Sequence, residues 1–373
     1  MIVFLLDLFY ATKNRFFRFL NYKKNLKSDL VFLDSLPKSD FYIESKSKIL
    51  ILELNNFHLE LLDSIIYYFE SLGYEVDVVV RIESSYQNAI KLELRQILDL
   101  LKDTSKYDFV FFNTMFLSLK TQHHIKTLAN INAKYGILGI YHTISDIYKF
   151  RDMPNYKEGR YFALRKLNFR GMAVSNTLSC SKEIDIKFIK NDIATFISIG
   201  FPLYHRNFRE KLYKAIEDLL KDNINNFRFI LIGRNEFKDL RFKEYISFFK
   251  NPTTLELHEI LKSSNPHYTF GFFDSFAHKH YLYNSTSGLR QFSLMYNLPF
   301  VINKKFGESF GFDNNNAIFY DSSLYQALKY AIKLINTDKY NNLKFNLHTL
   351  NEKLNEDSIT LLQSCISKLK DNK

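Results

Sequence analysis

Apolar and polar positions alternate along the chain between short buried-looking runs and longer segments of helical spacing. From residue 48, the run Lys48–Leu54 (KILILEL) predicts a buried strand. Phe57–Ser71 carries apolar residues at helical spacing, Gly73 suits a helix C-terminus, and Tyr74–Val80 predicts the next strand. This is a βαβ unit. A helix over Ala89–Lys102, a strand at Asp108–Asn113, a helix near Gln122–Lys134 and a strand at Gly136–Tyr141 extend it. Strands near Gly171–Val174 and Thr195–Ile199 then close a first half built on a parallel sheet, and Gly200–Phe201–Pro202 marks its boundary.

The alternation begins afresh after that boundary. A helix near Phe208–Lys221 leads to a strand at Phe227–Ile232, and helices follow around Phe242–Phe249 and Thr254–Ser263. A strand at His267–Phe272, a helix after Ser287, a strand at Pro299–Asn303 and a helix over Ser322–Ile335 complete a second α/β unit. Thr349–Lys370 is again helical, with Leu354, Ile359, Leu362 and Ile366 on one face. The chain therefore divides into an arm at 1–47, a Rossmann-like domain at 48–200, a second at 201–345, and a helical segment at 346–373.

One turn in the second unit carries a chemical signal. Ser285, Thr286, Ser287 and Gly288 are small enough to let an anion reach backbone N–H groups, and the helix they open points its positive dipole end at that anion. Pro299 stops this helix, and Phe300, Val301 and Ile302 form an apolar run suited to a parallel strand covered on both faces. A nucleotide diphosphate fits the crevice above such a unit.

The collinear order of FRFILIGR, TLELHEILKSSNPHYTFGF, the polar turn, the helix before Pro299 and the strand and loop leading into AIFYD resembles the donor domain of GT-B-type glycosyltransferases. KILILEL, the long helix, GYEVDVVV and GILGIYHTISD resemble the acceptor domain of the same family, so the resemblance spans roughly residues 48–370. It implies an α/β fold of two Rossmann-like domains facing across a cleft. It also implies a nucleotide-sugar as co-substrate with no bound cofactor or metal, a glycan or lipid-linked acceptor, and a place in bacterial surface polysaccharide or lipopolysaccharide assembly. Retaining members usually place a ribose-binding acid seven positions before the Pro, where this chain has Phe292. The amide of Gln291 beside it can still bond a hydroxyl. Asn297 stands where a small Gly is usual, and Glu308 in the following loop is an alternative carboxylate for the donor.

Glycosyl transfer needs fixed positive charge near the leaving diphosphate and a base near the acceptor. Arg234, directly after Phe227–Ile232, can approach the diphosphate. His142, at the end of Gly136–Tyr141, is the favoured base; His58, in the loop after Lys48–Leu54 with Glu60 nearby, is the second. The pair His123–His124 is adjacent rather than at chelating helical spacing, and no DxD run, Walker A loop or G-x-G-x-x-G fingerprint occurs. A nucleotide-sugar epimerase of the same fold and a non-catalytic glycan- or partner-binding paralogue are the alternative readings.

Composition adds partners and compartment. At 373 residues, with 46% hydrophobic and 24% charged, the chain is long enough for two cores. Cys180 and Cys365 are its two cysteines, which excludes a disulfide framework and favours the cytoplasm. The net charge of +11 favours an anionic partner, and its Lys and Arg residues are dispersed rather than arrayed in a nucleic-acid-binding motif. In MIVFLLDLFYATKNRFFRFL, Asp7 and the trailing Lys13, Arg15 and Arg18 fit neither a secretory signal nor a spanning helix. They fit a helix lying on an anionic membrane surface, peripheral to the inner face.

Overall fold

The computed structural model describes residues 48–54, 58–81, 89–115, 131–143, 159–169, 172–174, 176–186, 191–200, 206–233, 241–273 and 278–372. The basic arm at 1–47, Arg234 and most of the helix expected near 122–134 lie outside these residues.

The first half opens with β1 (Ile49–Glu53), a short 3-10 turn at Leu59–Leu61 and α1 (Leu62–Ser71). It continues through β2 (Val76–Arg81), β3 (Ile90–Leu92), α2 (Leu94–Leu100), β4 (Phe109–Phe112), β5 (Ile137–Tyr141) and β6 (Tyr161–Ala163). These strands form a six-stranded sheet in the order β3-β2-β1-β4-β5-β6, parallel at every pairing. The helix expected from Ala89 starts late. Ile90–Leu92 pair with Val79–Arg81, and a capping box between Glu93 and Gln96 delays the helix to Leu94. The strand expected near Gly171–Val174 is β8 (Met172–Val174), which pairs antiparallel with β7 (Leu167–Phe169) outside the main sheet.

The second half runs β9 (Ala194–Ile199), α3 (Arg206–Lys221), β10 (Phe227–Gly233), β11 (Ile246–Lys250), α4 (Thr254–Ser264) and β12 (Tyr268–Gly271). It continues through α5 (His280–Tyr283), α6 (Gly288–Met295), β13 (Phe300–Asn303), α7 (Lys304–Ser309), β14 (Ala317–Tyr320) and α8 (Leu324–Leu334). Its sheet is again six-stranded and parallel, in the order β11-β10-β9-β12-β13-β14. Two expectations change here. Thr195–Ile199 does not close the first sheet; it lies inside the second, between β10 and β12, so that sheet starts ahead of Gly200. The segment around Phe242–Phe249 is not a helix, because Ile246–Lys250 finds backbone partners along Phe229–Gly233.

Both sheets reverse strand order at one point, between β1 and β4 and between β9 and β12. Parallel α/β sheets bind ligands outside the carboxyl ends of the strands at such points. The last helix, α9 (Asp338–Asp371), runs unbroken through the expected junction at 345/346. Tyr340 and Leu343 pack into the core of the second sheet, and Leu362, Cys365, Ile366 and Leu369 into that of the first. Between these ends a polar seam clamps the segment joining the two halves. Asn351 donates to the carbonyls of Ser181 (2.8 Å) and Leu294 (3.1 Å), Ser358 accepts from the Ser179 N–H at 2.9 Å, and the Tyr68 hydroxyl donates to Asn355. No described helix is long and apolar enough to cross a membrane.

Candidate active site

The carboxyl ends of β1, β4 and β5 converge on one polar cluster. Glu53, the last residue of β1, is 1% exposed and accepts from Asn113 Nδ2 (2.8 Å) and Thr114 Oγ1 (2.5 Å), which follow β4. A buried carboxylate survives in an apolar strand only with such donors. Asn113 Nδ2 also donates to the His58 carbonyl at 2.9 Å, fixing the backbone where His58 takes the left-handed φ of 63°. That bend lays the His58 ring flat on His142, with centroids 3.7 Å apart and planes 10° from parallel.

The two imidazoles cannot comfortably share two positive charges at this distance, and their surroundings divide the roles. Burial would lower His58, but its hydrogen bond to Glu60, at 3.3 Å, and the charges of Glu60 and Glu53 outweigh it and raise the imidazole above 6.5. Burial, then the positive charge of His58, push His142 well below 6.5 against the pull of the Asn113 carbonyl. That carbonyl lies 3.2 Å from His142 Nε2 and can only accept, so Nε2 carries the proton and Nδ1 keeps a free lone pair. His142 is thus held toward its neutral form, beside an imidazole whose surroundings favour its charged form.

The sign of this arrangement can be tested by pH. The stabilisation from His58 is fully present below 6.5 and fades as pH rises through its raised value. His142 works the other way: the fold prefers it neutral, so stability drops as pH falls below 6.5 toward its depressed value. The melting temperature of the wild type should therefore fall on acidification, and His142→Asn should flatten that acid limb. An equally steep limb in His142→Asn would disprove the neutral assignment.

The polar turn meets this cluster directly. Thr143, next to His142, makes an antiparallel bridge with Ser285. Ser287 caps α6 by accepting from the Leu289 N–H at 3.3 Å, and a Cβ added to exposed Gly288 would meet nothing within 4 Å. The start of the helix thus borders open space beside Ser285, Thr286 and Ser287. Arg165, two residues past β6, holds the turn from the first half by donating to the carbonyls of Ser285 (3.0 Å), Ser309 (2.7 Å) and Tyr281.

Other expected donor residues fare differently. Gln291 is 1% exposed; its Nε2 donates to the Ser179 carbonyl at 2.9 Å and ties α6 to the joining segment, while its Oε1 has no hydrogen-bond partner. Phe292, in the usual place of the acid, packs with Ile197, Ile230 and Tyr296 in an apolar cluster where a carboxylate would be stranded. Glu308 is exposed, but on α7 rather than in a loop. Arg234 lies outside the described residues. A separate cavity of about 580 Å³ opens beside α3 and α8, and none of its described lining residues belongs to the cluster or the turn. Of Glu53, Asn113, Thr114 and Arg165, the first alone leaves a signal in the sequence, as a lone carboxylate inside KILILEL.

No family model matches the chain, and no curated protein sequence matches it. Among solved structures it is similar to an alpha-glucosyltransferase in complex with UDP and a 13-mer DNA containing a HMU base, with TM-score 0.56 and 12% identity over 87% of this chain and 100% of that one. HepE from Anabaena in complex with UDP-glucose gives TM-score 0.50 at 13% identity, covering 87% and 100%. AviGT4, a glycosyltransferase involved in avilamycin A biosynthesis, gives 0.50 at 11%, covering 85% and 98%. With its two parallel sheets meeting at the His142 cluster and the Ser285–Gly288 turn, the chain has the GT-B fold of two Rossmann-like domains and resembles divergent glycosyltransferases of that fold.

Proposed function

We propose that the chain is a glycosyltransferase that moves a sugar from a nucleoside diphosphate to a hydroxyl of a glycan or lipid-linked acceptor. The bridge between Thr143 and Ser285 carries this reading, because it brings the neutral His142 beside the turn that opens α6. In the transfer, the acceptor oxygen bonds to the anomeric carbon and its proton passes to Nδ1 of His142. The bond from that carbon to the diphosphate oxygen breaks, and the oxygen keeps the electron pair. The negative charge that develops there faces the backbone N–H groups at the start of α6.

UDP and UDP-glucose in two of the fold neighbours support a uridine diphosphate donor. The net charge of +11 supports an acceptor presented on an anionic surface, such as a membrane leaflet during surface polysaccharide or lipopolysaccharide assembly. An epimerase of this fold would need cleft carboxylates to exchange a proton with the sugar. Glu53 is engaged by Asn113 and Thr114, and Glu60 by His58, which favours transfer.

A panel of nucleotide-sugars tests the reading by thermal shift, since a ligand that binds the native state raises its melting temperature by mass action. At least one nucleoside diphosphate sugar at millimolar concentration should raise it by several degrees and lose its sugar to an added glycan acceptor. If no member of the panel shifts the transition, the transferase reading is wrong; inversion of the sugar without any acceptor would indicate an epimerase.

A further inference from the structure

A carboxylate ends the apolar run of β1. That strand lies between β2 and β4 and is buried along its whole length, yet its last residue is Glu53, 1% exposed. Burying a carboxylate there costs more than burying a leucine, so the packing of the sheet does not account for it. Its partners point to the neighbouring imidazole. Glu53 Oε2 accepts from Asn113 Nδ2 at 2.8 Å and from Thr114 Oγ1 at 2.5 Å. Each of those residues also turns an oxygen toward His142 Nε2, the Asn113 carbonyl at 3.2 Å and the Thr114 hydroxyl at 3.5 Å.

A hydroxyl has a single proton, and at 2.5 Å from a carboxylate oxygen that proton belongs to the charge-assisted bond. Thr114 therefore faces His142 with lone pairs. Nε2 meets two acceptors and keeps its hydrogen, which leaves Nδ1 to take up a proton. Glu60, the other carboxylate of the cluster, bonds His58 instead.

Charge leads to the same residue. A proton gained on Nδ1 makes His142 positive, with its centroid 3.7 Å from that of His58. Burial disfavours a charge on His58, but the bond and charge of Glu60, and then the charge of Glu53, favour it. Two stacked positive rings need negative charge close by, and Glu53 supplies it next to Thr114. We infer that Glu53 is a positioning residue for His142: acting through Thr114 and Asn113, it fixes the Nε2–H tautomer and offsets the positive charge the ring gains, while taking no proton itself. The use of that ring as a base rests on the transferase reading, but the control of its tautomer does not.

Leucine at this position separates the role from a purely structural one. Glu53→Leu continues the apolar run, so the melting temperature should stay within a few degrees of wild type or rise. It also frees the Thr114 proton to turn toward Nε2 and removes one bond from Asn113. Nitrogen NMR spectra of the neutral imidazole rings should show His142 as Nε2–H alone in the wild type and as both tautomers in Glu53→Leu. With nucleotide-sugar affinity unchanged, kcat should fall about a hundredfold. Thr114→Val should lower kcat about tenfold and Thr114→Ser should restore it, which keeps the test decisive if Glu53→Leu does not fold. A single Nε2–H tautomer in Glu53→Leu, or wild-type kcat in Thr114→Val, would overturn the role. If the tautomers mix as expected and no nucleotide-sugar reacts, Glu53 still positions the ring, and the transferase reading is the one that fails.

Discussion

Replacing His142 by Ala should lower kcat by about 10²–10⁴-fold and leave nucleotide-sugar affinity within a few-fold, because a general base acts on the acceptor proton and not on the donor. The geometry is specific about which atom is lost. Nε2 is committed to the Asn113 carbonyl at 3.2 Å, so Nδ1 is the atom free to accept a proton. The pH profile adds a second signature. Activity should climb with pH through the depressed value of His142 and reach its plateau below neutrality, since burial and the positive charge of His58 hold that imidazole neutral. His58→Gln removes the charge and should move the climb upward toward 6.5. Steady-state rates over pH 4–8 measure both effects. A kcat in His142→Ala within threefold of wild type would exclude the ring as the base.

The strands on this side of the molecule were legible because parallel strands buried on both faces read as apolar runs, as in Lys48–Leu54 and Asp108–Asn113. Local pattern misled where partners are distant. Phe242, Tyr245, Ile246 and Phe249 fall at helical spacing, yet Phe242 takes a φ of 58° and the segment joins β10 as an edge strand. α9 is polar through its middle because that stretch faces a polar seam, so its pattern signalled only the C-terminal part. At the site, His58 and His142 were each readable as residues at strand ends, where ligands of α/β sheets gather. Their stacking was not, and neither was the bond that Thr114 donates to Glu53 across a separation of 61 positions. The bond from Gln291 to Ser179 was equally hidden, because a one-residue step on a helix turns a side chain by about 100°, here carrying the amide Nε2 to the joining segment.

Phe196→Ala should destabilise the second sheet by about 3–5 kcal/mol, the cost of deleting a fully buried aromatic ring that neighbours cannot refill. Its ring is enclosed on both sides: Phe229 stacks at 5.1 Å and Tyr268 at 5.3 Å between centroids, and the side chain is fully buried. The location of the loss decides the register of the fold. Thr195–Ile199 precedes Gly200 in the chain and looked like the last strand of the first half, but its backbone pairs with β10 and β12. Damage to Phe196 should therefore appear first in the elements that carry the polar turn. Hydrogen exchange should quicken in β10, β12 and β13 and leave β1, β2 and β4 near their wild-type protection. Urea titration gives the magnitude, and the exchange pattern gives the place. Faster exchange confined to β1, β2 and β4 would return β9 to the first half and undo the pairing on which the position of the turn depends.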